Sequence, residues 1–183
     1  EEQAMSYTFS RRAFLKYSAA TAVAVAGASL LGGCEYQDPK NPVCKKLPGK
    51  IISDLQVTAN LKSMKIKGNT CTLMVDIQSD RANPIPLDPY RFSIAVKDAE
   101  GKQIYFSGNN GGMKLLDAPG SLIQQRKLVT LNLEASGFPE LKDGETVLFK
   151  YIPIRENSEF SMNWEITKEV YEKFIANQNT SEG

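Results

Sequence analysis

The side chains that could do chemistry in this chain are few, and the first constraint is an absence. No histidine occurs among the 183 residues. Ser-His-Asp and Cys-His nucleophile systems, imidazole acid–base steps and most zinc sites are thereby removed. Of the three cysteines, Cys44 and Cys71 lack the spacing of a redox pair or a metal-binding pair. The run from Gly108 to Gly112 lacks the spacing and the lysine of a phosphate loop, and it reads as a connection between strands. Asp76, Asp80 and Asp88 could gather around a hard cation, although acids at strand ends are ordinarily solvated. Tyr90, Tyr105, Phe106 and Trp164 could face a ligand, although aromatics at strand spacing are ordinarily core. The expectation is a chain with no catalytic residues, no metal site and no cofactor.

Cys34 is set apart by what precedes it. Arg11, Arg12 and Lys16 supply positive charge, and Tyr17 to Leu31 carries no charged side chain. Gly32 and Gly33 then place two small residues before the thiol. Positive start, apolar middle and small-residue end are the three parts of an export signal. The middle run is about 15 residues, short of the ~20 that a spanning helix needs, and Ser18, Thr21, Gly27 and Ser29 dilute it. Met5 is the expected natural start, with Glu1 to Ala4 ahead of it.

The stretch Ser10-Arg11-Arg12-Ala13-Phe14-Leu15-Lys16 resembles the twin-arginine (Tat) signal motif, with Arg11, Arg12, Phe14, Leu15 and Lys16 in place. Leu31-Gly32-Gly33-Cys34 resembles the bacterial lipobox. These resemblances imply a receptor-read export address handled by the Tat translocase, cleavage by lipoprotein signal peptidase, and acylation of Cys34, palmitate included. They imply an extracytoplasmic protein, at the cell surface or in the periplasm, held to the cell membrane by lipid. The expected division is a signal peptide at 1–33, a lipidated tether at 34–50 and a folded domain at 51–183. Pro39, Pro42, Pro48 and Gly49 are the basis for the tether.

Removing Arg11, Arg12, Lys16, Glu1 and Glu2 from 22 basic and 21 acidic residues leaves 19 of each after residue 33. That balance gives no support for nucleic-acid binding, which needs a concentrated basic face. Charge is uneven, with Lys40, Lys45, Lys46, Lys50, Lys62, Lys65 and Lys67 gathered near Cys34 and an acidic excess after residue 133. Anionic headgroups would attract the lysines by ~1 kcal/mol each, and ordinary solvated charge explains them equally well. An odd cysteine count in an exported chain requires explanation. Lipid on Cys34 leaves Cys44 and Cys71 as a possible disulfide worth about 3–4 kcal/mol, with a buried free thiol at Cys71 as the competing reading.

From Asp54 onward apolar residues recur with period two. Leu55, Val57, Ala59 and Leu61 form one run, Met64 and Ile66 a second, and Cys71, Leu73, Val75 and Ile77 a third after Gly68-Asn69. A proline loop follows from Asp80 to Pro89. Tyr90, Phe92, Ile94 and Val96 then turn at Asp98-Ala99-Glu100-Gly101 into Ile104-Tyr105-Phe106, predicting a hairpin. Val129 to Leu133, Val147 to Ile152 and Phe160 to Ile166 complete the strands. Thr167 is placed to cap a short helix over Lys168 to Asn177. The pattern predicts an all-β, antiparallel immunoglobulin-like β-sandwich of about 7–8 strands with a short C-terminal helix. Asp76-Ile77-Gln78-Ser79, Phe92-Ser93-Ile94 with Asp98 to Gly101, and Gly144-Glu145 before Phe149-Lys150-Tyr151 are similar to the immunoglobulin-like domain of bacterial lipoproteins catalogued as DUF4352 or telokin-like. That resemblance implies a fold and a setting, and no catalytic residues.

Two functions fit these expectations. The first is a non-catalytic module that binds a protein or cell-envelope ligand through sandwich loops or a strand edge. The second is an accessory subunit or assembly partner of a Tat-exported redox enzyme, motivated by the export route alone.

Overall fold

The computed structural model describes residues 38–108, 113–117, 120–154 and 159–181. Two five-stranded sheets face one another. Sheet A runs in the order β1 (Val43–Cys44), β12 (Met162–Thr167), β11 (Thr146–Tyr151), β6 (Phe92–Lys97) and β7 (Gln103–Gly108). Sheet B runs β2 (Gly49–Ser53), β3 (Val57–Lys67), β4 (Thr70–Ser79), β10 (Leu128–Ser136) and β8 (Met113–Asp117). A small ladder joins β5 (Ile85–Pro86) to β9 (Leu122–Ile123). All pairings within the two sheets are antiparallel except β1 beside β12. Reading β4, β6, β8, β10, β11 and β12 as strands B, C, D, E, F and G reproduces the immunoglobulin order, with β7 added beyond C. The expected fold class is therefore the observed one.

Alternation decides which faces meet. Leu73, Val75 and Ile77 of β4 and Leu131, Leu133 and Ala135 of β10 are buried, as are Phe92, Ile94 and Val96 of β6 and Val147, Phe149 and Tyr151 of β11. Aromatic rings fill the centre, with Phe92 stacked on Tyr151 at 4.8 Å and Phe149 tilted against Trp164 at 5.3 Å. In β3 the buried residues change phase, from Val57, Ala59 and Leu61 to Met64. A bulge between Leu61 and Ser63 absorbs the change, so both runs face the core on one strand. Lys67 pairs with Thr70 across the expected Gly68-Asn69 turn, and Gly68 takes φ +58, a conformation open to glycine.

The tether expectation fails over its second half. Val43 and Cys44 pair with Asn163 and Trp164, while Gly49 and Lys50 pair with Leu61 and Asn60. Cys44 and Leu47 are buried in the core. Prolines suggested an unpacked segment, but Pro39 and Pro42 precede β1 and Pro48 lies between β1 and β2. The segment needs donors and apolar contacts at only a few positions, and those positions supply them.

The β6–β7 hairpin is organised by Asp98, whose Oδ1 accepts the N–H groups of Glu100 at 3.1 Å and Lys102 at 2.8 Å. Asp98→Ala is expected to cost about 1 kcal/mol, read as a lowered urea midpoint with an unchanged slope; no change in midpoint would show that the turn holds without that carboxylate. The C-terminal helix α1 (Lys168–Ser181) begins where expected, with Val170 N–H donating to Thr167 Oγ1 at 3.3 Å. It continues past the expected end at Asn177. Among the described residues no helix is long and apolar enough to cross a membrane.

Candidate functional site

Arg11, Arg12, Phe14, Leu15, Lys16 and Cys34 lie outside the described residues, as do residues 109–112 of the glycine-rich loop. The possible Cys44–Cys71 bridge is not formed, and the competing reading, a buried free thiol at Cys71, is the observed one. Cys71 is a free, fully buried thiol that pairs across sheet B with Ile66 and Ala135. Cys44 is disulfide-bonded, though not to Cys71, and lies in sheet A opposite Trp164. Cys71 belongs to a strand at the centre of sheet B and Cys44 to the edge of sheet A, a separation that spacing along the chain does not reveal. Burial pushes the Cys71 thiol up to about 12, so it is no nucleophile near neutral pH.

The three aspartates do not converge, and no group of three candidate metal ligands exists among the described residues. Asp76 accepts Thr130 Oγ1 at 2.6 Å and pairs with Lys62 Nζ at 3.3 Å. Asp88 caps the 3-10 turn Pro89–Arg91 by accepting Tyr90 N–H at 2.9 Å. The backbone carbonyl of Asp80 accepts from Gln125 Nε2 at 3.0 Å.

Beside α1 lies a cleft of about 530 Å³ lined by Ile66, Gly68, Glu140, Leu141, Lys168, Tyr171 and Glu172. Its size suits a small ligand, but its lining is half polar and internally paired. Tyr171 Oη accepts Ile66 N–H at 3.1 Å, and Lys168 Nζ reaches Asp143 at 2.8 Å and Glu172 at 3.7 Å. The hydrogen bond to Asp143 raises the Lys168 pKa and lowers that of Asp143. A lysine held protonated in this way serves neither as a base nor as an amine nucleophile at neutral pH. Sequence reading missed this cleft because the residues that line it come from β3, its turn, the 137–145 loop and α1.

Of the four aromatics that could have faced a ligand, two belong to the core, the ordinary expectation for aromatics at strand spacing. Trp164 is fully buried, and its Nε1 donates to the Gly49 carbonyl at 2.8 Å. Tyr105 turns inward, edge-on to Phe138 at 5.1 Å, and its hydroxyl donates to the Ser136 carbonyl at 2.7 Å. Phe106 and Tyr90 are left 50% and 56% exposed, and the 3-10 turn carrying Tyr90 abuts β7. On the outer face of sheet A the register sets Glu165, Leu148, Ala95 and Phe106 in one row. Gly108 leaves space for the neighbouring ring, since a Cβ there would lie 3.3 Å from Phe106 Cζ and 2.5 Å from Ser93 Cβ. Ile104, 46% exposed, continues the apolar surface along β7. Inside this edge lies Arg91, buried, with one guanidinium N–H donating to the Pro153 carbonyl at 2.6 Å. Among the described residues its Nε and the Tyr151 hydroxyl have no hydrogen-bond partner.

The described residues thus form an immunoglobulin-like sandwich in which Ile104 and Phe106 are half exposed on one edge strand. No protein family's sequence profile matches the chain, and no curated protein matches it. Two solved structures are similar to it. The yjhA protein of Bacillus subtilis is 11% identical with a TM-score of 0.45, over 67% of this chain and 98% of that one. A second Bacillus subtilis protein, ycdA, provisionally designated a lipoprotein, is 16% identical with a TM-score of 0.48, over 74% of this chain and 42% of its own.

Proposed function

We propose that this chain is an extracytoplasmic lipoprotein, anchored through Cys34 and acting as a non-catalytic binding module for a protein or cell-envelope ligand. The observation that carries the binding role is the β7 edge, where Ile104 and Phe106 are half exposed on an ordered strand with no charged residue. A strand edge of that kind is a template for another chain. The anchoring role rests on the order of Arg11, Arg12, the uncharged run and Cys34. Lys45, Lys46 and Lys50, all exposed, lie on the segment entering the sandwich, where they would meet headgroups.

Membrane fractionation of the native host tests the anchor. The protein should sediment with membranes, and Cys34→Ser should move nearly all of it to the soluble fraction; continued retention would overturn lipid anchoring. Replacing Arg11 and Arg12 by Lys should leave precursor in the cytoplasm. Denatured protein should titrate the Cys71 thiol, which is unbridged. The export route supports the second reading, an accessory subunit, and co-purification with a haem, iron–sulfur or molybdenum protein would favour it over a free-standing module.

A further inference from the structure

We infer that the end of sheet B bearing Ile52 and Leu128 rests on an anionic lipid bilayer, with both side chains entering the headgroup region. This deepens the anchoring proposed above by naming the surface that turns to the membrane, and it rests on that reading for the reach of the chain alone. Ile52 and Leu128 are 62% and 61% exposed, more than Tyr90, Ile104 or Phe106. Pairing sets Ile52 opposite Thr58, Thr58 opposite Gln78 and Gln78 opposite Leu128, so the two lie in one row on the outer face. Single exposed aliphatic residues are ordinary; what distinguishes these two is the charge around them and their place in the fold. Lys50 precedes Ile52 by two residues on the same face of β2, Arg126 and Lys127 lead directly into Leu128, and all three are exposed. Arg81 lies in the adjoining turn, where its N–H donates to Ser79 Oγ at 3.2 Å and Arg126 N–H donates to the Ser79 carbonyl at 2.7 Å. The carboxylates of these turns are Asp54 and Asp80, since Asp76 is taken up by Lys62 and Thr130. Cations in excess around aliphatic side chains make a surface that anionic headgroups attract and the interface accepts.

The chain enters the sandwich at this same end. Ser161 N–H donates to the Lys40 carbonyl at 3.1 Å and Asn163 N–H to the Pro42 carbonyl at 3.0 Å, which sets residues 40–42 beside the start of β12. The opposite end is fixed by two bonds. Ile66 N–H donates to Tyr171 Oη at 3.1 Å, tying the end of β3 to the helix that follows β12. Tyr105 Oη donates to the Ser136 carbonyl, tying the end of β10 to the start of β7. The ends of β3 and β10 therefore lie with the end of β12, and their starts, with Thr58 and Leu128, lie with its start. Four residues link Cys34 to Asp38, at most about 14 Å of chain. Lipid on Cys34 would thus keep the Ile52–Leu128 row near the headgroups, with α1 and its cleft at the far end.

The full chain as translated, which carries no lipid, should co-sediment with vesicles of phosphatidylglycerol mixed equally with phosphatidylcholine, and more weakly with phosphatidylcholine alone. Ile52→Asp together with Leu128→Asp should weaken that binding at least about tenfold. Arg126→Glu together with Lys127→Glu should remove the preference for anionic vesicles. Met74→Asp, on the same outer face but four residues along β4 from Gln78, should bind as the wild type does. All five positions are exposed, and an unchanged circular dichroism spectrum would confirm that each variant folds. The uncharged run from Tyr17 to Leu31 is common to every variant, so differences between them read the sandwich alone. Undiminished binding by the Ile52–Leu128 variant, an equal loss in Met74→Asp, or equal binding to both kinds of vesicle would each overturn the proposal. Self-association, or capture of a protein, that is lost with Ile52 and Leu128 while vesicles are ignored would overturn it too, because a protein would then cover the row. No acyl chain takes part, so failure here is distinct from failure of Cys34 anchoring, which fractionation reads.

Discussion

Trp164→Ala should cost about 3–5 kcal/mol, the range for removing a large buried aromatic. Small domains hold about 5–15 kcal/mol in all, so the variant should be close to unfolding at 25 °C. Trp164 is fully buried at the point where three elements meet. Its strand β12 lies between β1 and β11, its ring tilts against Phe149 at 5.3 Å, and its Nε1–H donates to the Gly49 carbonyl at 2.8 Å in the other sheet. Gly49 is bare because a Cβ there would lie 2.5 Å from Cys44 Sγ and 3.2 Å from Trp164 Cδ1. The ring therefore fills space that no neighbour can supply, and collapse into the void is restricted. Trp164→Phe separates the two contributions. It keeps most of the packing and leaves the buried Gly49 carbonyl unpaired, at about 1–3 kcal/mol. Urea midpoints for both variants measure the costs, and a loss below about 1.5 kcal/mol for Trp164→Ala would show that the two sheets are locked elsewhere.

Alkaline pH should destabilise the fold through Cys71 well before the folded thiol ionises. In the unfolded chain this thiol titrates at its ordinary 9.0, whereas burial pushes it up to about 12 in the folded protein. Between those values the unfolded state loses a proton that the native state keeps. The unfolded state then binds fewer protons, and stability falls as pH rises. The full contribution is present below pH 9.0 and is lost progressively towards about 12. A decade of difference is worth about 1.4 kcal/mol, so the loss approaches about 4 kcal/mol at the upper end. Denaturation midpoints measured from pH 8 to 11 should slope downward, and Cys71→Ala should flatten the slope while lowering stability modestly at pH 8. A slope unchanged in Cys71→Ala would assign the alkaline loss to other groups. Native protein should also resist thiol reagents at Cys71 at a rate set by unfolding, since the thiol is fully buried in the middle of sheet B.

Much of the architecture was legible as period-two patterning because each strand has one face against the core. Cys71, Leu73, Val75 and Ile77 on β4 and Val147, Phe149 and Tyr151 on β11 announce both strand and burial. The change of phase between Leu61 and Met64 is visible in the chain as two separate runs, yet only pairing with β4 shows them to be one strand with a bulge. Residues 43–53 were not legible as strands. Their partners, β12 and β3, supply the hydrogen bonds that make Val43–Cys44 and Gly49–Ser53 extended, and local composition pointed to a tether.

By itself, the amino-acid order determined the absence of histidine chemistry, the two-layer β class and the cap of α1 at Thr167, and it carries the resemblance to an export and lipid-attachment signal ending at Cys34 on which the proposed anchoring rests. These depend on residues close together in the chain or on a repeating period. Tertiary structure alone decided that Cys44 and Cys71 belong to different sheets, that Trp164 and Tyr105 are withdrawn from the surface while Phe106 and Tyr90 stay on it, and that Asp76 serves Lys62 and Thr130. It also decided that β7 lies at an edge. The physical reason is the same in each case: spacing along a strand sets which face a side chain takes, while strand order sets what that face meets, and strand order is fixed by contacts between segments far apart in the chain.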